Sequence, residues 1–172
     1  SMQLILHPNS SAFDSSAKSS YGDKVKAVFL HHFLRYITWP DRDQSGPYEI
    51  IFIGDSSIIP IIESIAKKKK ISNRTVQIRI IQSTGELDLE TCHILFIGQS
   101  KKNELPKLLK ESINHHVLTV SDQPGYALQG VAINFIKKEG RIRFEINLDT
   151  MKAAEITPSS QILKLAHLVK NG

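Results

Sequence analysis

The chain has 172 residues, with 22 Lys and Arg against 17 Asp and Glu, a formal charge of +5, and 41% apolar and 23% charged residues. That composition excludes collagen-like, disordered and coiled-coil chains; the length suits one sizeable core and is short for two, and no apolar run approaches the ~20 residues that span a bilayer. The single cysteine, Cys92, excludes an intrachain disulfide and any zinc site built on paired cysteines.

Ser1-Met2 reads as a cloning remnant, and Asn9 to Ser20 is rich in serine and poor in large apolar residues. Residues 1–22 are therefore expected to form a flexible lead-in to a single domain over 23–172. Asp23 is the expected N-cap of a helix running to about Trp39, with Val25, Val28, Phe29, Phe33, Tyr36 and Ile37 on one face and Pro40 as the stop. Gln44 to Pro47 reads as a turn and Tyr48 to Ile53 as a buried strand. Gly54-Asp55-Ser56-Ser57 follows as a loop, and a helix from about Ile58 ends in the run Lys67 to Lys70. That run suits a solvated helix end, where cations favour the negative pole; it lacks the interleaved aromatics of a nucleic-acid reader.

Thr75 to Ile81 alternates as a strand with one wetter face, Val76, Ile78 and Ile80 opposing Gln77, Arg79 and Gln82. His93 to Ile97 is a further buried strand closed by Gly98-Gln99-Ser100, and Leu105, Leu108, Leu109 and Ile113 mark a helix with Pro106 in its first turn. Val117 to Val120 leads into Ser121-Asp122-Gln123-Pro124-Gly125. Ala132 to Ile136 and Ile142 to Ile146 flank Lys137-Lys138-Glu139-Gly140 as a hairpin, and a last helix after Pro158 carries Ser160, Leu163, Leu165, Ala166 and Leu168. The alternation of strands and helices predicts an α/β chain: a Rossmann-like or flavodoxin-like three-layer sandwich, its sheet mostly parallel, with a C-terminal antiparallel hairpin.

In such sheets ligands favour the crevice beyond the carboxyl ends of the strands, so Asp55, Ser100 and Asp122 are the candidate ligand-binding residues, with helix capping as the competing role. Neither G-x-G-x-x-G nor G-x-x-x-x-G-K-[ST] occurs, and Gly98 stands where a phosphate-accepting receiver needs Asp. The pairs His31-His32 and His115-His116 diverge on a helix and on a strand, so they suit surface or boundary positions better than a metal site. No G-x-S-x-G elbow presents a serine, and Cys92 reads as a buried, inert thiol. No catalytic, cofactor-binding or metal-ligating residue is assigned.

Lys26-Ala27-Val28-Phe29-Leu30 continuing to Phe33, Tyr36, Trp39 and Pro40 resembles the opening of YfiR-like proteins. The resemblance extends in order through Ile53-Gly54-Asp55, Cys92 to Gly98, Leu118 to Asp122 with Gly125, Ile133-Asn134-Phe135, Arg143 to Asn147 and Ser159 to Leu163. It implies a periplasmic protein exported by a signal peptide that this sequence lacks. It also implies a non-enzymatic repressor that binds the periplasmic sensor region of a membrane-bound diguanylate cyclase or histidine kinase, lowering cyclic-di-GMP signalling and biofilm formation. Redox control through intrachain disulfides, a property of the family's type member, does not carry over to a chain with Cys92 alone. The second reading is a small-molecule sensor or carrier using the strand-end crevice. For a partner protein, or for a second copy in a homodimer, Tyr126 and Leu128 are the expected contact residues, because they put apolar surface on a loop.

Overall fold

The computed structural model describes residues 21–40 and 44–171; the lead-in expected over Asn9 to Ser20 lies outside the described residues. In chain order the elements are α1 (residues 21–36), β1 (Ile37–Thr38), β2 (Tyr48–Ile53), α2 (Ile59–Lys68), β3 (Val76–Ile81), β4 (Ile94–Ile97), α3 (Leu105–Asn114), β5 (Leu118–Ser121), β6 (Ile133–Lys138), β7 (Arg141–Asn147), α4 (Leu148–Ala153), β8 (Thr157–Pro158), α5 (Ser160–Leu165) and β9 (His167–Val169).

Ala27, Leu30, Phe33 and Leu34 recur along α1 at helical spacing and are buried, which fixes its inner face. Residues 21 and 22 are already helical, so Asp23 is not the cap; its carboxylate accepts a hydrogen bond from Ser57 Oγ at 3.1 Å. The helix also ends earlier than its apolar spacing predicts. Two β-branched residues, Ile37 and Thr38, precede Trp39, which Pro40 holds away from helical backbone, and β1 instead pairs antiparallel with β8.

The main sheet has seven strands in the order β3-β2-β4-β5-β6-β7-β9. Strands β2 to β6 are mutually parallel, β7 returns antiparallel to β6, and β9 runs parallel to β7. Helices cover both faces, giving the mostly parallel α/β sandwich with its C-terminal antiparallel pair. On one face Phe52, Phe96, Val120, Phe135 and Phe144 meet α1, α2, α4 and α5. Phe29, Phe33, Phe135 and Phe144 form an aromatic cluster there, with Phe33 and Phe144 edge to face at 5.3 Å. On the other face Ile51, Ile53, Leu95 and Ile97 meet α3 together with Cys92, Tyr126 and Val131.

Three expectations shift. The hairpin turn is two residues, Glu139-Gly140, both at positive φ (53° and 76°), so each strand reaches further than its apolar residues do. The last helix stops at Leu165; Ala166 is extended and Leu168 lies opposite Ile146 in β9, because an open sheet edge offers backbone partners that a short exposed helix lacks. In β3 the alternation breaks at its end, where Ile80 is exposed and Ile81 is buried in the second core.

Candidate functional site

Parallel strands deliver their carboxyl ends, and the loops that follow, to one end of the sheet. Beyond β2 and β4 those loops close on each other. Gly98 N donates to Ile53 O at 2.9 Å and Gln99 N to Asp55 O at 3.3 Å. A Cβ on Gly98 would stand 2.4 Å from Asp55 O, so only glycine allows this approach. Lys101 lies across the same loops, its Nζ donating to Gln82 O and standing 3.9 Å from Glu104. The crevice at the switch in strand order is thereby filled by the protein's own backbone and one lysine.

The three residues expected to converge there have separate engagements. Asp55 is exposed and accepts a 3.5 Å bond from Gln82 Nε2. It caps no helix: the first turn near α2 is met by Ser56 Oγ, which accepts from Ile58 N at 3.3 Å. Ser100 is exposed at φ 65°, and its hydroxyl donates to Gln99 O. Asp122 is paired with Lys26 of α1 at 2.9 Å and accepts from Gln123 Nε2. That ion pair ties α1 to the crossover between β5 and β6.

Among the described residues, a groove at this end of the molecule lies beside the closed crevice. It has a volume of about 850 Å³ and runs between the first turns of α1 and the tip of the β6–β7 hairpin. Val25, Phe29 and Ile142 give it an apolar floor, and Lys137, Arg141 and Arg143 line its hairpin side. Ser57 and Lys26 border it, connecting it to the loops after β2 and β5. The sequence reading missed this groove because its walls are far apart in the chain; the signal available was the density of cations around Glu139-Gly140.

The two residues expected to meet a partner part company. Tyr126 is 5% exposed in the second core, where burial raises its hydroxyl pKa. Leu128 is 56% exposed on the rim of a hollow of about 420 Å³ formed with Leu109 and Ile113 of α3. Two buried amides hold this crossover loop to the hairpin. Asn134 Nδ2 donates to Gln123 O at 2.8 Å, and Asn147 Nδ2 donates to Ala127 O at 2.7 Å while its Oδ1 accepts from Thr150 N and caps α4.

The histidines divide between surface and interior. His31 is buried and bonds Lys69 O at 3.2 Å through Nε2; burial, with the nearby charges of His32, Lys69 and Arg35, lowers its pKa against the opposing effect of that hydrogen bond. His93 is also buried, stacked edgewise on Trp39 and Tyr48, and its Nδ1 accepts from Glu49 N. The surface or boundary position expected for the paired histidines therefore fails for His31. Cys92 is buried as expected, its thiol directed at Ile94 O. Among the described residues no group of three His, Cys, Asp or Glu is arranged to hold a metal ion, and no helix is long and apolar enough to cross a membrane.

No curated protein matches the sequence. Compared with protein families, residues 23–167 match the family described as YfiR/HmsC-like, a span running from α1 to the first residue of β9. With all but the end of the sheet inside that match, the chain belongs to the YfiR/HmsC-like family.

Proposed function

We propose that this protein is a periplasmic, non-enzymatic regulator. It binds the periplasmic sensor region of a membrane-bound diguanylate cyclase or histidine kinase and represses signalling, lowering cyclic-di-GMP and with it biofilm formation. Family membership over residues 23–167 is the observation that carries this reading. The filled strand-end crevice supports it over the small-molecule carrier: the place where this architecture ordinarily takes a ligand holds Gly98 against Asp55 O, with Lys101 across the top. Asp55, Ser100 and Asp122 then act in the loops themselves, Asp122 by anchoring α1.

Leu128 is the proposed contact residue on the crossover loop, with Tyr126 as its buried support. The test uses the periplasmic region of a membrane-bound diguanylate cyclase or histidine kinase from the same organism. The wild-type chain is expected to retain that region in a pull-down and to lower cyclase output in membranes. Leu128→Asp is expected to weaken retention while leaving the thermal midpoint unchanged. Absence of both retention and repression by the wild-type chain overturns the reading; full retention by Leu128→Asp removes Leu128 from the interface.

A further inference from the structure

Strand β3 ends the main sheet: it pairs with β2, and among the described residues no strand lies on its other side. The parallel ladder fixes which of its backbone groups face outward. Tyr48 N donates to Thr75 O at 2.9 Å, and Gly54 N donates to Ile81 O at 3.0 Å. Bonding residues alternate along such a ladder, so the groups of Gln77 and Arg79 turn to β2. The N–H and C=O of Val76, Ile78 and Ile80 turn away from it. Sheets commonly blunt an open edge with lysine, proline or a bulge. The six residues of β3 include no lysine, no proline and one arginine. That arginine is turned inward, 3.1 Å from Glu49 of β2 and 2.9 Å from Asp88 O. Val76 and Ile78 pack in the first core, and Ile80, on the same face, is 42% exposed.

This edge is complementary to itself. Opposed residues of an antiparallel pair point to the same face, so a two-fold axis through the sheet sets one residue against its own copy. With Ile78 on the axis, Val76 opposes the copy's Ile80 and Gln77 opposes the copy's Arg79. Every outward N–H then meets an outward C=O. Valine and isoleucine line one face and cover Ile80, while glutamine meets arginine on the other. Moving the axis to Arg79 sets two arginines against each other, which repel. Moving it to Gln77 carries Ile80 past the start of the copied strand, opposite Arg74.

We propose that β3 is a homodimer edge, two copies pairing antiparallel along residues 76–80 about an axis at Ile78 and joining their sheets into one. Hydrogen-bond phase, apolar face and charge all select that register, and a second copy is the occupant for which this chain's own sequence fixes all three. The proposal does not rest on the regulator reading. The crossover loop carrying Leu128 follows β5, three strands from β3, so the dimer presents it twice.

Sedimentation velocity of the whole chain over a dilution series measures the dimer, and amide hydrogen exchange at the highest and lowest concentrations locates it. Wild type is expected to dissociate on dilution. Protection of the Val76, Ile78 and Ile80 amides is expected to rise with concentration while that of β9 stays level. Gln77→Arg opposes arginine to arginine twice per dimer and is expected to raise the dissociation constant by about tenfold or more. Gln77→Glu is expected to lower it several-fold. Gln77 lies beside Glu49 of β2, so Gln77→Arg gains an opposite charge within its own chain and is expected to keep the melting temperature of the dilute protein. Ile80→Lys is expected to abolish association, and Lys110→Glu, on α3, to leave it unchanged. A monomer at every concentration overturns the proposal, as do equal dissociation constants for Gln77→Arg and Gln77→Glu, or concentration-dependent protection at β9 in place of β3. Protection of β3 that is the same at every concentration assigns the edge to the chain itself, and protection gained only on adding the sensor region assigns it to a partner strand; either result also overturns the proposal.

Discussion

Gly98 shows how a single residue decides what the end of a sheet can do. Its missing Cβ lets two loops touch where Asp55 O would otherwise be 2.4 Å away. The obstacle is backbone, which does not step aside as a flexible side chain does. Gly98→Ala is therefore expected to destabilise the chain by roughly 1–3 kcal/mol through overpacking, read as a lower urea midpoint with an unchanged slope. An unchanged midpoint means that the loops open without cost and that the crevice is available after all. His31 gives the second expectation at this scale. Burial lowers the pKa of its imidazole in the fold below the ordinary value of about 6.5. The unfolded chain takes up a proton first as pH falls, so stability is level above about 6.5 and declines below it. His32 is shifted in the same direction, first by burial and then by Arg35 and Lys69. Urea midpoints taken between about pH 7.5 and 5.5 should fall for wild type and flatten in His31→Gln with His32→Gln; an equal fall in both assigns the acid sensitivity elsewhere.

At the scale of elements, the hairpin turn is under conformational strain, and the like-charged Lys138 and Arg141 are direct cross-strand partners on either side of it. Glu139 is held at φ 53°, a region an L-residue other than asparagine or aspartate enters at a cost, while Gly140 at φ 76° enters freely. Glu139→Asn supplies the favoured pair for this two-residue turn and is expected to stabilise the chain by a few tenths to about 1 kcal/mol. Thermal melts of the single variant check it, and no gain means that the turn relaxes in solution to another type. The same hairpin shows what sequence can and cannot carry. Strands β2, β4 and β5 are legible because near-continuous apolar runs end in glycine and polar loops, the pattern of strands buried on both faces. Helix α4 is not legible: six residues with one acidic and one basic side chain give no period, and its cap, Asn147, reads locally as the end of a strand. Strand β9 is hidden differently. Leu165 and Leu168, three residues apart, fit helical spacing, and only pairing with β7, decided by the sheet edge, turns the chain at Ala166. The candidate ligand residues were legible as loops at the correct end of the sheet. Their closure was not, because it depends on the approach of Gly98 to Asp55, and nothing in either loop's composition encodes that distance.

Across the whole molecule, cover is uneven, and this sets an order of local stability. Strands β4 and β5 have a partner on each side and buried residues at every position, between α1 and α2 on one face and α3 on the other. Strand β9 has β7 on one side only, a register of three residues, and exposed His167 and Leu168. Short, interrupted edges of this kind discourage unwanted pairing, yet Leu165 and Leu168, each 56% exposed, leave apolar surface beside this one. Amide hydrogen exchange should therefore be slowest in β4 and β5, close to the global unfolding limit, and fastest within the sheet at β9, whose opening breaks few contacts. The measurement also tests what meets that edge in solution. At low protein concentration β9 amides should exchange early whatever the state of the core. If their protection instead rises with concentration while β4 and β5 stay constant, a second copy is pairing along β9. If β9 is as protected as β4 at every concentration, the edge is held by the chain itself, and the stability order argued from partner count is wrong.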